Sequence, residues 1–139
     1  MIDLLLAAAL AQGATPVPDA CNAVGRGAAA LPGCPQWRLI RHNEHGDGFL
    51  DPASVRRDGD LVVFVARTIP VRPLDTGTAS VNMRVHLDCA ARTTMVVHMT
   101  AFNVEGGTIF DMDAPASERP EPVVARTAYA DVMGEYCAR

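Results

Sequence analysis

Between residues 81 and 101 the sequence alternates apolar and polar side chains in two runs. Val81, Met83, Val85, Leu87 and Cys89 fall on one side of an extended chain, with Asn82, Arg84, His86 and Asp88 on the other. Met95, Val97, Met99 and Ala101 then share a second apolar side. A period of two belongs to strands with one face buried. Setting apolar side against apolar side fixes a register, because a slip of one residue would turn every apolar side chain to water. Leu87 is then expected opposite Met95 and Val85 opposite Val97, with Ala90, Ala91 and Arg92 as a three-residue connection.

The flanking segments extend this sheet. Trp37-Arg38-Leu39-Ile40 reads as a first strand and Gly48-Phe49-Leu50 as a second, joined by a turn over His42 to Gly48. The Gly, Asn and Asp residues of that turn accept special backbone angles. The apolar run Leu61 to Ala66 suits a central strand. Pro70 and Pro73 predict a loop over residues 69–79, and Gly106-Gly107 turns into a last strand near Thr108 to Met112. After a linker from Pro115 to Pro122, Val124, Ala128, Val132 and Tyr136 recur at four-residue spacing beside Tyr129, Met133 and Cys137. That pattern predicts an amphipathic helix with proline near its first turn. The fold class implied is α+β, a six-stranded antiparallel β-sheet with a C-terminal α-helix packed on one face. Met83, Met95, Met99 and Met133 fall on the expected core faces, where packing is their default role.

Four cysteines, Cys21, Cys34, Cys89 and Cys137, are read as two disulfides. Three pairings are formally possible. The economical one joins Cys21 to Cys34 and leaves Cys89 with Cys137. By loop-closure entropy the two bridges contribute about 3 and about 4 kcal/mol. Cys89 closes a strand on its core side and Cys137 lies on the inner face of the helix, so a bridge between them would clamp helix to sheet. A structural zinc site usually sets cysteines two to four residues apart, and no such pair occurs.

Residues 1–13 carry the apolar run Leu4 to Ala11 followed by small residues, as in a cleaved secretory signal peptide, although Asp3 and the lack of Arg or Lys make a weak start. The run is too short to span a bilayer. Pro18-Asp19-Ala20 before Cys21 lacks the pattern of a lipid-modified cysteine, so no lipid anchor is expected. Residues 14–36 form an irregular arm rich in Pro, Gly and Ala, and residues 37–139 form the domain. The 139 residues suit one domain. A net charge of −4 argues against nucleic-acid partners. All 12 basic residues are arginine, which reads as a GC-rich coding bias.

Several residues carry a family resemblance. They are Trp37, Gly46-Asp47-Gly48, the stretch Asp51-Pro52-Ala53-Ser54-Val55-Arg56-Arg57-x-Gly59, the strand end Leu87-Asp88-Cys89, and the cysteine in the last helix. Over residues 37–139 the chain resembles the surface-adhesin protein E-like domains of Gram-negative envelopes. The resemblance implies a six-stranded antiparallel sheet with the terminal helix held on one face by a disulfide, in an envelope protein that binds partner proteins. The chain departs from that family in lacking a lipid-attachment motif and in the extra cysteine pair of its arm. Its 69–79 loop holds Arg72 and Asp75 rather than a run of positive charge.

Four constellations could carry chemistry. His42 and His45, with Glu44 and Asp47 nearby, could ligate a metal or a haem iron, or form a solvated turn. His86 and His98 fall on one polar face near Arg84. Asp111 and Asp113 with Glu118 supply hard oxygen ligands, but their spacing is not that of a calcium loop. Ser54, Ser80 and Ser117 lie outside any nucleophile motif. No cofactor, metal or catalytic set is assigned. The function expected is an exported, periplasmic or secreted, non-catalytic module that binds an envelope or extracellular macromolecule through its exposed sheet face or the 69–79 loop. A haem-type or small-ligand binder is the alternative, and a hydrolase stands behind it.

Overall fold

A computed structural model describes residues 17–24 and 32–138; the expected signal peptide, residues 1–13, lies outside them. Six long strands form one antiparallel sheet: β1 (Arg38–Asn43), β2 (Gly46–Leu50), β4 (Leu61–Pro70), β5 (Ser80–Asp88), β6 (Thr93–Phe102) and β7 (Thr108–Asp113), in that spatial order. Two short strands are added, β3 (Arg56–Asp58) against β4 and β8 (Glu121–Pro122) against β6. One helix, α1 (Ala128–Tyr136), packs on one face.

The core lies between α1 and this face. Leu50, Val62, Phe64, Val85, Leu87 and Val132 are almost fully enclosed, with Met133 beside them. Each such side chain stabilises the fold by about 1.5–3 kcal/mol relative to exposure. Tyr129 meets Phe64 edge to face at 6.4 Å. Burial raises the pKa of its phenol, whose hydroxyl rests against the Met83 sulfur. Cys89 and Cys137 are joined, tying the end of β5 to the end of α1. Arg38 and Arg41 of β1 reach Glu135 and Asp131 of α1 in two-pronged ion pairs, and Arg57 donates to the Tyr136 carbonyl at 2.7 Å.

The helix is shorter than its sequence pattern. Arg126 takes a left-handed backbone (φ 64°), and the Thr127 hydroxyl accepts from the Ala130 amide, so α1 begins at Ala128. Glu121 and Pro122 pair with Thr94 and Thr93 instead, which leaves Val124 exposed. Backbone pairing to β6 outcompetes the proline-started helical turn.

The central hairpin holds half of the expected register. Met83 pairs with Met99 and Arg84 with His98, but beyond them Val85 faces Val96 and Leu87 faces Thr94. Val97 is an extra residue in β6, a bulge that reverses the parity of the strand. Thr94 and Val96 therefore take the core side, and Met95 moves to the opposite face, across from His86. The connection spans Cys89 to Arg92, four residues, with two amides capped by the Asp88 carboxylate. β4 runs through Pro70, so the following loop begins at Val71, and the first turn contracts to Glu44-His45.

Part of the second face of the sheet is covered by the N-terminal arm. Cys21 is bonded to Cys34, and a short 3-10 turn over Asp19–Asn22 lies against it. The Val24 amide donates to Val104, and Gly106 approaches so closely that a Cβ there would sit 1.9 Å from the Asp19 carbonyl. With φ +90° besides, only glycine fits that contact. Arg67 of β4 is 3% exposed beneath this arm. It donates to the Asn22 carbonyl at 2.8 Å and to the side chains of Asn22 and Asn82, and its guanidinium lies 5.7 Å from the Trp37 ring centre. Its hydrogen-bond partners are all neutral, and loss of hydration lowers its pKa to about 10.

Candidate binding edge

β7 is the last strand of the sheet, paired to β6 and to no other described strand. All six of its residues are exposed. The β6–β7 hairpin concentrates large apolar side chains at the surface: Val104 at the turn, then Ile109, Phe110 and Met112. Ile109 is the extra residue of a second bulge, between the Phe102–Thr108 and Ala101–Phe110 pairs. Bulges re-aim side chains and blunt an edge against uncontrolled pairing.

Alternation along β7 sorts its side chains by chemistry. Phe110 and Met112 share the side of Ala101 and Met99, the side that carries α1. There a groove of about 320 Å³ opens, lined by Val96, Met99, Met112 and Tyr129 together with Glu118, Arg119 and Glu121. Asp111 and Asp113 project from the opposite side, with Thr100 and His98. The His98 ring meets Asp113 at 2.7 Å through Nδ1 and Asp111 at 2.5 Å through Nε2. The Thr100 hydroxyl donates to the same Asp111 oxygen at 2.7 Å. The Asp113 and Asp111 contacts raise the His98 pKa; the Thr100 hydroxyl and His98 lower that of Asp111. The group is a charged cluster on a wet surface. Both ring nitrogens of its histidine are engaged, and no grouping suited to a metal ion occurs among the described residues.

Two constellations read separately from the sequence thus meet. Asp111 and Asp113, two apart on a strand, flank a histidine singled out on the neighbouring strand, while Glu118 lies at the groove instead. His86 shares the face but takes no part in the cluster. His42 pairs with Asp47 across the first hairpin, and the His45 ring lies 3.5 Å from the Glu44 carboxylate. Both imidazoles are largely in water, and neither converges on the other as a ligand pair. Ser54 serves the local backbone. Its hydroxyl donates to the Asp51 carbonyl and accepts from the Val65 amide, while the Asp51 carboxylate caps the Pro52–Ser54 turn. Ser80 is fully buried, and neither serine is hydrogen-bonded to a histidine. The loop of residues 71–79 closes on itself through Leu74, Gly77 and Thr78, with Val71 and Leu74 exposed.

Sequence reading missed the apolar surface of β7 because one exposed strand and one half-buried strand have the same alternation. It missed Arg67 because nothing local to an apolar run says that its next residue will be covered.

The sequence profile of surface-adhesin protein E matches residues 37–138. The chain belongs to the surface-adhesin protein E family. Its fold is similar to the crystal structure of protein E from non-typeable Haemophilus influenzae, with a TM-score of 0.53 at 17% identity, covering 72% of this chain and 75% of that one. A selenomethionine form of Haemophilus influenzae protein E aligns with a TM-score of 0.52 at 18% identity, over 72% and 85% of the two chains. At such identities the likeness speaks for the fold. No curated protein sequence matches the chain. The arm, with Cys21, Cys34 and Asn22, lies outside the region that the profile matches. No described helix is long and apolar enough to cross a membrane.

Proposed function

We propose that this chain is an exported, non-catalytic binding module of the bacterial envelope, periplasmic or secreted, that meets a macromolecular partner. The observation that carries the reading is the run of exposed Ile109, Phe110 and Met112 on a terminal strand, within a domain of the surface-adhesin family. Apolar side chains gathered on one sheet edge mark association surfaces. Two disulfides suit an oxidising compartment outside the cytoplasm. The test is affinity capture of envelope and extracellular-matrix extracts on the oxidised protein, read by mass spectrometry against a charge-matched control domain. A partner enriched over the control is the expected result. Recovery of none removes the reading.

A further inference from the structure

The edge has a chemistry of its own, and it differs on its two sides. The backbone of β7 offers hydrogen-bonding groups on its outer side, since its ladder to β6 uses the inner one. A strand laid along it would send alternate side chains to opposite faces. On the α1 side they would meet Met112 and the groove that Val96 and Met99 help to line. On the other side they would meet Asp111 and Asp113, whose two negative charges are only partly offset by His98. Glu118 and Glu121 add negative charge to the groove lining, against one Arg119.

We infer that β7 takes up an extended segment of a partner protein as an added strand, and that this segment alternates apolar with basic residues. The inference rests on the binding role proposed above and specifies its surface and its partner. Main-chain pairing supplies affinity in such additions, and the side-chain pockets supply selectivity. The apolar residues of the segment enter the groove beside Met112, and its arginines or lysines face Asp111 and Asp113. A second copy of this chain is a competing occupant, which a register centred on Phe110 admits and others refuse. An antiparallel pair of β7 strands centred on Asp111 or on Met112 sets carboxylate against carboxylate, which is destabilising directly across a ladder. An acidic segment is refused for the same reason.

The probes are two blocked octapeptides, one alternating valine and arginine and one alternating valine and glutamate, titrated into the oxidised full chain by fluorescence polarisation. Amide hydrogen exchange is followed along residues 108–113. The valine–arginine peptide should bind and slow exchange there, and the valine–glutamate peptide should not. Met112→Asp, with unchanged circular dichroism and intact disulfides, should weaken binding roughly tenfold or more, as expected for loss of an anchor side chain. Asp111→Asn with Asp113→Asn should remove the preference between the two peptides. Equal binding of both peptides by the unaltered chain overturns the inference. So does binding without protection of residues 108–113, or no binding at all. A dimer in sedimentation that Met112→Asp dissociates would assign the edge to a second copy, and overturns it too. Capture from envelope extracts separates the two readings: a partner held equally by the unaltered chain and by Met112→Asp sinks the edge and leaves the binding role standing.

Discussion

Each ring nitrogen of His98 faces a carboxylate oxygen, so both must carry protons for both contacts to be hydrogen bonds. The imidazolium is the form that satisfies Asp113 and Asp111 together, and those contacts raise its pKa above the ordinary 6.5. Loss of hydration works against the rise, but the two carboxylates outweigh it. His98 contributes stability that is fully present below its unfolded value and is lost as pH rises through its raised folded value. Asp111, lowered first by Thr100 and then by His98, contributes above its unfolded value and loses that contribution as pH falls through its lowered one. The cluster is therefore most stabilising in mildly acidic solution. An NMR titration of the His98 ring should give a midpoint above 6.5 that drops in Asp113→Asn. A midpoint at or below the ordinary value, unmoved by that substitution, would show that the cluster does not hold in solution.

At the scale of elements, the question is what keeps α1 on the sheet. The ion pairs Arg38–Glu135 and Arg41–Asp131 have good geometry, but their side chains are about a third or more exposed. Exposed pairs contribute about 0–1 kcal/mol after entropy and screening. The Cys89–Cys137 bridge spans 48 residues of sequence, for which chain entropy gives about 4 kcal/mol. The disulfide and the burial of Val132 and Met133 should dominate. Urea unfolding without reductant should accordingly show a loss of about 4 kcal/mol for Cys137→Ser and under about 1 kcal/mol for Arg38→Ala. Comparable losses from the two variants would mean that the surface charges, and not the bridge, hold the helix.

Taken as a whole, the molecule is a sheet covered on both sides by different means. Helix α1 covers one face with apolar side chains, and the arm covers part of the other with amides around a buried cation. A cation without an acidic partner is costly to bury, and hydrogen bonds to it contribute roughly 1.5–3 kcal/mol each. If the arm is lost, Arg67 regains water as it loses Asn22, so the net change is smaller than the bonds alone suggest. A chain beginning at Trp37 should stay folded, with the core beneath α1 intact, and lose on the order of 2 kcal/mol. Its Trp37 fluorescence should shift as the ring becomes wetter. Thermal melting and emission spectra measure both effects. A shortened chain that does not fold at all would make the arm part of the core rather than its cover.

The six long strands, the terminal helix and the side of β5 that faces it are legible in the amino-acid sequence alone. These follow from short-range periodicity and from turn residues, which act within a few positions. The strands Arg38–Asn43 and Leu61–Pro70 differ from the expected Trp37 to Ile40 and Leu61 to Ala66 only at their ends. Tertiary structure alone decided the rest. The Val97 bulge shifted half of one ladder because a single extra residue costs no local pattern. Pro122 went to a strand because β6 offered it a partner. His98 met Asp111 and Asp113 only once β7 was laid beside β6, and Arg67 became a buried cation only when an arm some 45 residues earlier folded over it. Side-chain periodicity says which way a residue points, but what it meets is set by contacts between segments distant in the chain.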